Sequence, residues 1–97
     1  MDRGLKFDWD PAKREVNLDK HGLDFRRAVE VFNDPQHIDE DTTRPEHGEV
    51  RRKAIGRVGQ IMIGVIYTDR NGVRRIISAR RARRDERERY RQSAETA

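Results

Sequence analysis

The sequence predicts an α+β domain. A short strand and two helices come first, an antiparallel β meander follows, and a third helix closes the chain. Two observations carry this reading. The first third holds two helical stretches that each begin at a capping aspartate, Asp10 and Asp24. From Val50 to Ala79 the pattern changes to strands, broken by Val58-Gly59-Gln60 and by Asn71-Gly72. Helices and strands segregated along the chain argue for α+β over an alternating α/β fold. A chain of 97 residues suits one domain, taken here as residues 1–97.

Leu5-Lys6-Phe7-Asp8-Trp9 alternates, so it predicts a strand with its apolar side chains on one face. Asp10 caps the next helix and Pro11 suits its first turn, where a missing N–H costs nothing. That helix should run to about Lys20 and stop at Gly22 in the left-handed conformation. After Asp24, the spacing of Phe25, Ala28, Val29 and Phe32 predicts a second helix with one apolar stripe, ended by Asn33-Asp34-Pro35. Both helices are short and must be held by packing on something larger. Gln36 to Thr43 reads as an edge strand leading into an acidic loop with Pro45 and Gly48.

Val50 to Val58 reads as a basic strand. Ile61 to Thr68 is apolar on both faces and therefore central. Asn71-Gly72 predicts a tight hairpin. Val73 to Ala79 returns as the next strand, and residues 83–93 form the last helix. The first two helices should cover one face of the sheet.

Charge is distributed unevenly. Residues 70–91 hold ten arginines against three acids, a balance of +7, while the whole chain carries only +4. Residues 39–49 sum to −4. A basic final third points to a polyanion engaged from one side. Cysteine is absent, which excludes disulfides and thiolate metal sites and permits a reducing compartment. No stretch is long and apolar enough to cross a bilayer, so the expectation is a soluble, cytoplasmic protein with no membrane partner.

Ile76-Ile77-Ser78-Ala79-Arg80-Arg81-Ala82-Arg83-Arg84 runs from a buried strand into guanidinium groups, each able to donate two parallel hydrogen bonds to phosphate. Metal-free RNA cleavage, an activity implied by the family resemblance set out below and not by composition or spacing, uses the 2′-hydroxyl as nucleophile. It needs a base near that hydroxyl, an acid near the leaving oxygen and cations on the phosphate. His21 is the candidate base, although a cation there also suits the end of a helix. Arg75, Arg80 and Arg81 are candidates for phosphate charge.

Strand alternation places Arg75, Ile77, Ala79 and Arg81 on one face, and Arg74, Ile76, Ser78 and Arg80 on the other. Either set could meet substrate. Arg51, Arg52 and Lys53 pose the same choice. Tyr67 could donate a hydrogen bond or stack on a base. The candidate catalytic set is therefore His21, Tyr67, Arg80 and Arg81. The candidate RNA-binding set is Lys13, Lys20, Arg52, Arg75, Arg83 and Arg84. His21, His37 and His47 lack ligand spacing, so no metal or other cofactor is expected.

Two groups of residues resemble the BrnT family. The first is Phe7-Asp8-Trp9-Asp10-Pro11, Lys13, Asn17, Lys20-His21-Gly22, Phe25, Ala28, Val29-Phe32 and Asp34-Pro35. The second is Ile66-Tyr67-Thr68, then Arg75-Ile76-Ile77-Ser78-Ala79-Arg80-Arg81-Ala82, then Glu86-Arg87 and Tyr90. The resemblance covers roughly residues 5–90, with nothing distinctive in 36–49.

It implies a RelE-like fold and a ribonuclease toxin of a type II toxin–antitoxin module that arrests translation. It also implies a BrnA antitoxin partner with a ribbon-helix-helix domain, in a hetero-oligomer that meets operator DNA only through the antitoxin. The residues by themselves also allow two other readings. One is a non-catalytic nucleic-acid-binding or regulatory module. The other is a basic patch that serves an acidic partner protein.

Overall fold

The computed structural model describes residues 5–96; residues 1–4 and 97, which the sequence reading assigns to the same domain, lie outside the described residues. The chain forms β1 (Lys6–Trp9), α1 (Pro11–His21), α2 (Phe25–Ala28) continuing into a 3₁₀ turn (Val29–Asn33), and β2 (Ile38–Asp41). A short 3₁₀ turn (Pro45–His47) precedes β3 (Arg52–Val58), β4 (Ile61–Arg70), β5 (Val73–Arg81) and α3 (Arg84–Thr96).

The five strands make one sheet in the order β1-β5-β4-β3-β2. Its fold class is α+β, but the sheet is mixed and not a meander alone. β2 to β5 pair antiparallel in sequence order, and β1 adds in parallel to the outside of β5. A parallel pair needs a long crossover, and here everything from α1 to β4 supplies it. β4 sits at the centre, in keeping with its two apolar faces.

Local chemistry sets the helix ends. The Asp10 carboxylate accepts the Ala12 N–H at 2.8 Å, and Gly22 ends α1 at φ 66° with its N–H on the Leu18 carbonyl. Asp24 accepts the Arg26 N–H and receives a bidentate Arg14 guanidinium at 2.8 Å, tying α1 to the start of α2.

The second helix departs from expectation, since only Phe25–Ala28 is α-helical. The fully buried residues there are Phe25, Ala28 and Val31, spaced by three. That is the period of a 3₁₀ helix, and Asp34-Pro35 forbids further extension.

Each sheet face has its own apolar cluster. Ala54, Val58, Ile63, Val65, Tyr67, Ile76 and Ala79 pack with Leu23, Phe25, Ala28 and Val31 on the α1–α2 face. Ile55 meets Ala82 and Tyr90 on the α3 face. Complete burial of a side chain such as Phe25 or Ile63 is worth roughly 1.5–3 kcal/mol, so the first cluster dominates.

Candidate functional site

β1 covers β5 only as far as the Trp9–Ile76 pair. Beyond it, no strand among the described residues flanks β5 on that side, and α1 takes its place. Asn17 is buried and substitutes for a neighbouring strand. Its side-chain oxygen accepts the Ala79 N–H at 3.0 Å, and its amide nitrogen donates to the Ala79 and Leu23 carbonyls at 2.9 Å. One side chain therefore fixes the helix to the strand edge and satisfies three backbone groups.

At the same place β5 bulges. Ser78 pairs with Ile66, and Ile76 pairs with Tyr67, so Ile77 is an extra residue. A bulge reverses the alternation beyond it. Arg75 (across from Thr68) and Arg80 (across from Gly64) consequently share the α3 face, while Arg74, Ile76 and Ala79 share the α1–α2 face. Strict alternation would separate Arg75 from Arg80. The bulge unites them.

A groove of about 300 Å³ opens where α1 crosses the bare edge, lined by Lys13, Val16, Asn17, Lys20, His21, Ile77 and Ser78 together with Ala12. Lys13, Val16, Asn17 and Lys20 stand at i, i+3, i+4 and i+7 and form one stripe of the helix. The side chains of Lys13, Lys20 and His21 are exposed, and none has a carboxylate within salt-bridge distance among the described residues. Lys20 and His21 also occupy the last turn, where the helix dipole favours cations.

Across the sheet a different constellation is fully assembled. Glu86 is completely buried. It accepts from Lys53 Nζ at 2.6 Å, from Arg80 Nη1 and Nη2 at 2.8 and 2.9 Å, and from the Arg83 N–H at 2.8 Å. The last bond is half of a capping box, with Glu86 at the third position of α3. Burial by itself would push the Glu86 carboxyl up. The hydrogen bonds from Arg80, Lys53 and the Arg83 N–H outweigh it and hold the group well below the usual carboxylate range.

The sequence-predicted residues therefore divide. Lys13, Lys20 and His21 come together in the α1 groove. Arg80 is clamped by Glu86, and Arg83 lies 3.6 Å from Glu86 and from Asp85. Arg75 pairs with Asp8 at 3.3 Å, and Arg84 is 3.9 Å from Glu88. Arg81 is exposed, without an ion pair among the described residues.

Tyr67 and Arg52 lie on the α1–α2 face, away from Arg80, where both donate to Asp39. The Arg74 guanidinium covers the Tyr67 ring at 4.3 Å and the Phe32 ring at 4.8 Å. Burial first, then the bond to Asp39, pushes the Tyr67 phenol up. These features make Tyr67 a packed core residue whose hydroxyl is already engaged.

Lys53 and Glu86, neither of them among the candidate catalytic or RNA-binding residues of the sequence, form the most buried ion pair among the described residues. Lys53 had a visible signal, since it alternates against Arg52 on the same strand. Glu86 had its place three residues after Arg83 and its part in the Glu86-Arg87 segment that resembles the BrnT family. Among the described residues, no group of three or more His, Asp or Glu side chains is placed to share a metal ion. No helix there is long and apolar enough to cross a membrane.

Cations without an ion pair among the described residues, gathered at a bare strand edge of an α+β fold, suit contact with a polyanion. The comparison of families narrows this: residues 9–86 match the model described as the ribonuclease toxin, BrnT, of type II toxin–antitoxin systems, and the chain belongs to that family. A toxin of this kind has RNA as its substrate and an antitoxin as its partner. Among curated proteins, none matches the chain.

Proposed function

We propose that the chain is a metal-independent, RelE-like endoribonuclease that arrests translation in the cytoplasm. A BrnA-type antitoxin with a ribbon-helix-helix domain would neutralise it and carry the complex to operator DNA. The observation that supports the enzymatic part best is the α1 groove, where a histidine and two lysines, without an ion pair among the described residues, face a bare strand edge.

In this reading a single RNA strand lies along that edge. His21 takes the proton of the 2′-hydroxyl as its oxygen attacks phosphorus. The bond from phosphorus to the 5′-oxygen breaks, leaving a 2′,3′-cyclic phosphate. The 5′-oxygen takes its proton from the Lys20 ammonium. Lys13 and Arg81 meet the charge that develops on the phosphoryl oxygens. Arg80, Arg83 and Lys53 act from the other side of β5 as a fixed positive field that Glu86 keeps in register. Arg75 and Arg84 extend that field, while Arg52 and Tyr67 support the sheet.

The test is incubation of the purified protein with end-labelled single-stranded RNA in chelator, with and without ribosomes, beside His21→Ala and Lys13→Ala/Lys20→Ala variants. Cleavage with 5′-hydroxyl and cyclic-phosphate ends, abolished by His21→Ala, is the expected result. Intact RNA in every condition, with retardation at low salt only, would replace the enzyme with the binding-module reading. Cleavage unaffected by His21→Ala would move the chemistry out of this groove.

A further inference from the structure

On the opposite side of the bare edge lies a second cavity, of about 240 Å³, lined by Thr42, Arg44, His47, Arg51, Ile66, Ile77 and Ser78. We propose that it is a phosphodiester subsite for the RNA strand that occupies the α1 groove. The inference rests on the ribonuclease reading and extends it to the other face of β5.

Three features carry it. The lining combines two arginines, one histidine and two hydroxyl side chains, and no carboxylate. Arg44 is exposed and has no ion pair among the described residues. Arg51 touches Glu49 only at 3.4 Å, and that carboxylate is shared with Arg70. The cavity is thus a concave, donor-rich surface in which Arg44 has no ion pair among the described residues and Arg51 is only loosely held by Glu49, which suits a phosphate.

The loop that builds it is tied down. Thr42 N–H donates to the Arg51 carbonyl at 2.8 Å, and the Arg51 N–H donates to Thr43 Oγ1 at 2.9 Å. Thr68 Oγ1 donates to the Val50 carbonyl at 2.7 Å. The Arg44 N–H donates to His47 Nδ1 at 3.2 Å. With Nδ1 accepting, the proton of the neutral ring sits on Nε2, free to be donated. Donors on a loop fixed in this way are preorganised for a ligand.

The third feature is continuity. Ile77 and Ser78 line both cavities. The two cavities therefore meet at the bulge, so one strand of RNA can pass from Lys13 and Lys20 over the edge at Ser78 to Arg44 and His47. The residues that carry this subsite come from the loop with the weakest sequence pattern.

The experiment uses a short, non-cleavable 2′-O-methyl RNA oligonucleotide and fluorescence anisotropy over a range of salt. Variants are Arg44→Ala, Arg44→Lys, His47→Gln and Lys13→Ala/Lys20→Ala, with Arg91→Ala on α3 as a control for net charge. Each phosphate contact on a single strand contributes about 0.7 to the slope of log affinity against log salt. Arg44→Ala should lower that slope by about 0.7 and weaken binding about fivefold at moderate salt, with Arg44→Lys recovering most of both. His47→Gln should weaken binding with a smaller change in slope.

If Arg44→Ala behaves like Arg91→Ala while Lys13→Ala/Lys20→Ala weakens binding, the subsite is overturned and the α1 groove stands. If the wild type fails to cleave RNA yet Arg44→Ala still shows the loss, the subsite stands and the ribonuclease reading falls. Melting temperatures of all variants within a few degrees of wild type exclude unfolding as the cause.

Discussion

Replacing Glu86 with glutamine removes one negative charge from beneath Lys53 and Arg80 and leaves the shape unchanged. Glu86 is fully buried and Lys53 nearly so. The remaining acid near Lys53, Glu40, is 3.9 Å away and already engaged by Arg89. Breaking a buried ion pair by removing one partner costs about 3–5 kcal/mol. Glutamine keeps one acceptor for the Arg83 N–H, which favours the lower end, about 3 kcal/mol.

For a domain of this size that loss corresponds to a fall in melting temperature of about 12–24 °C. The pH dependence is the sharper check. Because the carboxyl is depressed in the native state, its contribution is complete above its ordinary value of 4.5 and is lost as pH falls below it. The stability difference between wild type and Glu86→Gln should be flat from pH 7 to 5. It should then shrink by about 1.4 kcal/mol per pH unit on further acidification. Urea unfolding at several pH values measures this difference directly. A gap below about 1 kcal/mol at pH 7, or one that does not change with acid, would refute the account of Glu86 as the anchor of the cluster.

Asn17→Ala should cost about 2–4 kcal/mol in urea unfolding, because it orphans the Ala79 N–H and two carbonyls. Asn17→Asp should cost at least as much, since a carboxylate oxygen would then face two carbonyl oxygens; a milder effect than alanine contradicts the bonding assigned here. Tyr67→Phe removes the hydroxyl that donates to Asp39 and should lower stability by about 1–2 kcal/mol while leaving RNA cleavage within a fewfold of wild type. Loss of cleavage without loss of stability would restore Tyr67 to the catalytic set. Gly56→Ala would set a methyl group 2.9 Å from His37 Cβ and 3.0 Å from Val31 Cγ2, and should destabilise by about 1–3 kcal/mol on thermal melting.

Most elements were legible in the sequence because local chemistry marks their ends. Asp10-Pro11, Gly22, Asp24 and Asn71-Gly72 do in the structure what their residue types require; Asn71 and Gly72 both adopt positive φ, as a two-residue hairpin turn needs. What was not legible depends on contacts distant in sequence. That Lys6–Trp9 joins β5 in parallel is decided by Phe7 on Phe32 and Trp9 on Phe25, and no local pattern reports such pairings. The 3₁₀ turn after Ala28 arises because Phe25, Ala28 and Val31 all reach the same core, whereas Phe25, Ala28, Val29 and Phe32 fit a helical stripe equally well on paper.

The candidate site was half legible for the same reason. His21, Lys13 and Lys20 share a helix face, and helix spacing alone brings them together. The arginines of β5 could not be sorted, because alternation holds only while the strand is regular, and the bulge at Ile77 reverses it. The bulge falls where β1 ends and Asn17 takes over the edge, so the irregularity, the missing neighbour strand and the groove share one location. A regular β5 would turn Arg80 toward the α1–α2 core and away from Glu86. The ion cluster on α3 and the open edge under α1 therefore depend on the same extra residue. Deleting Ile77 should disrupt both, lowering stability by the worth of the Glu86 cluster and closing the groove that His21 lines.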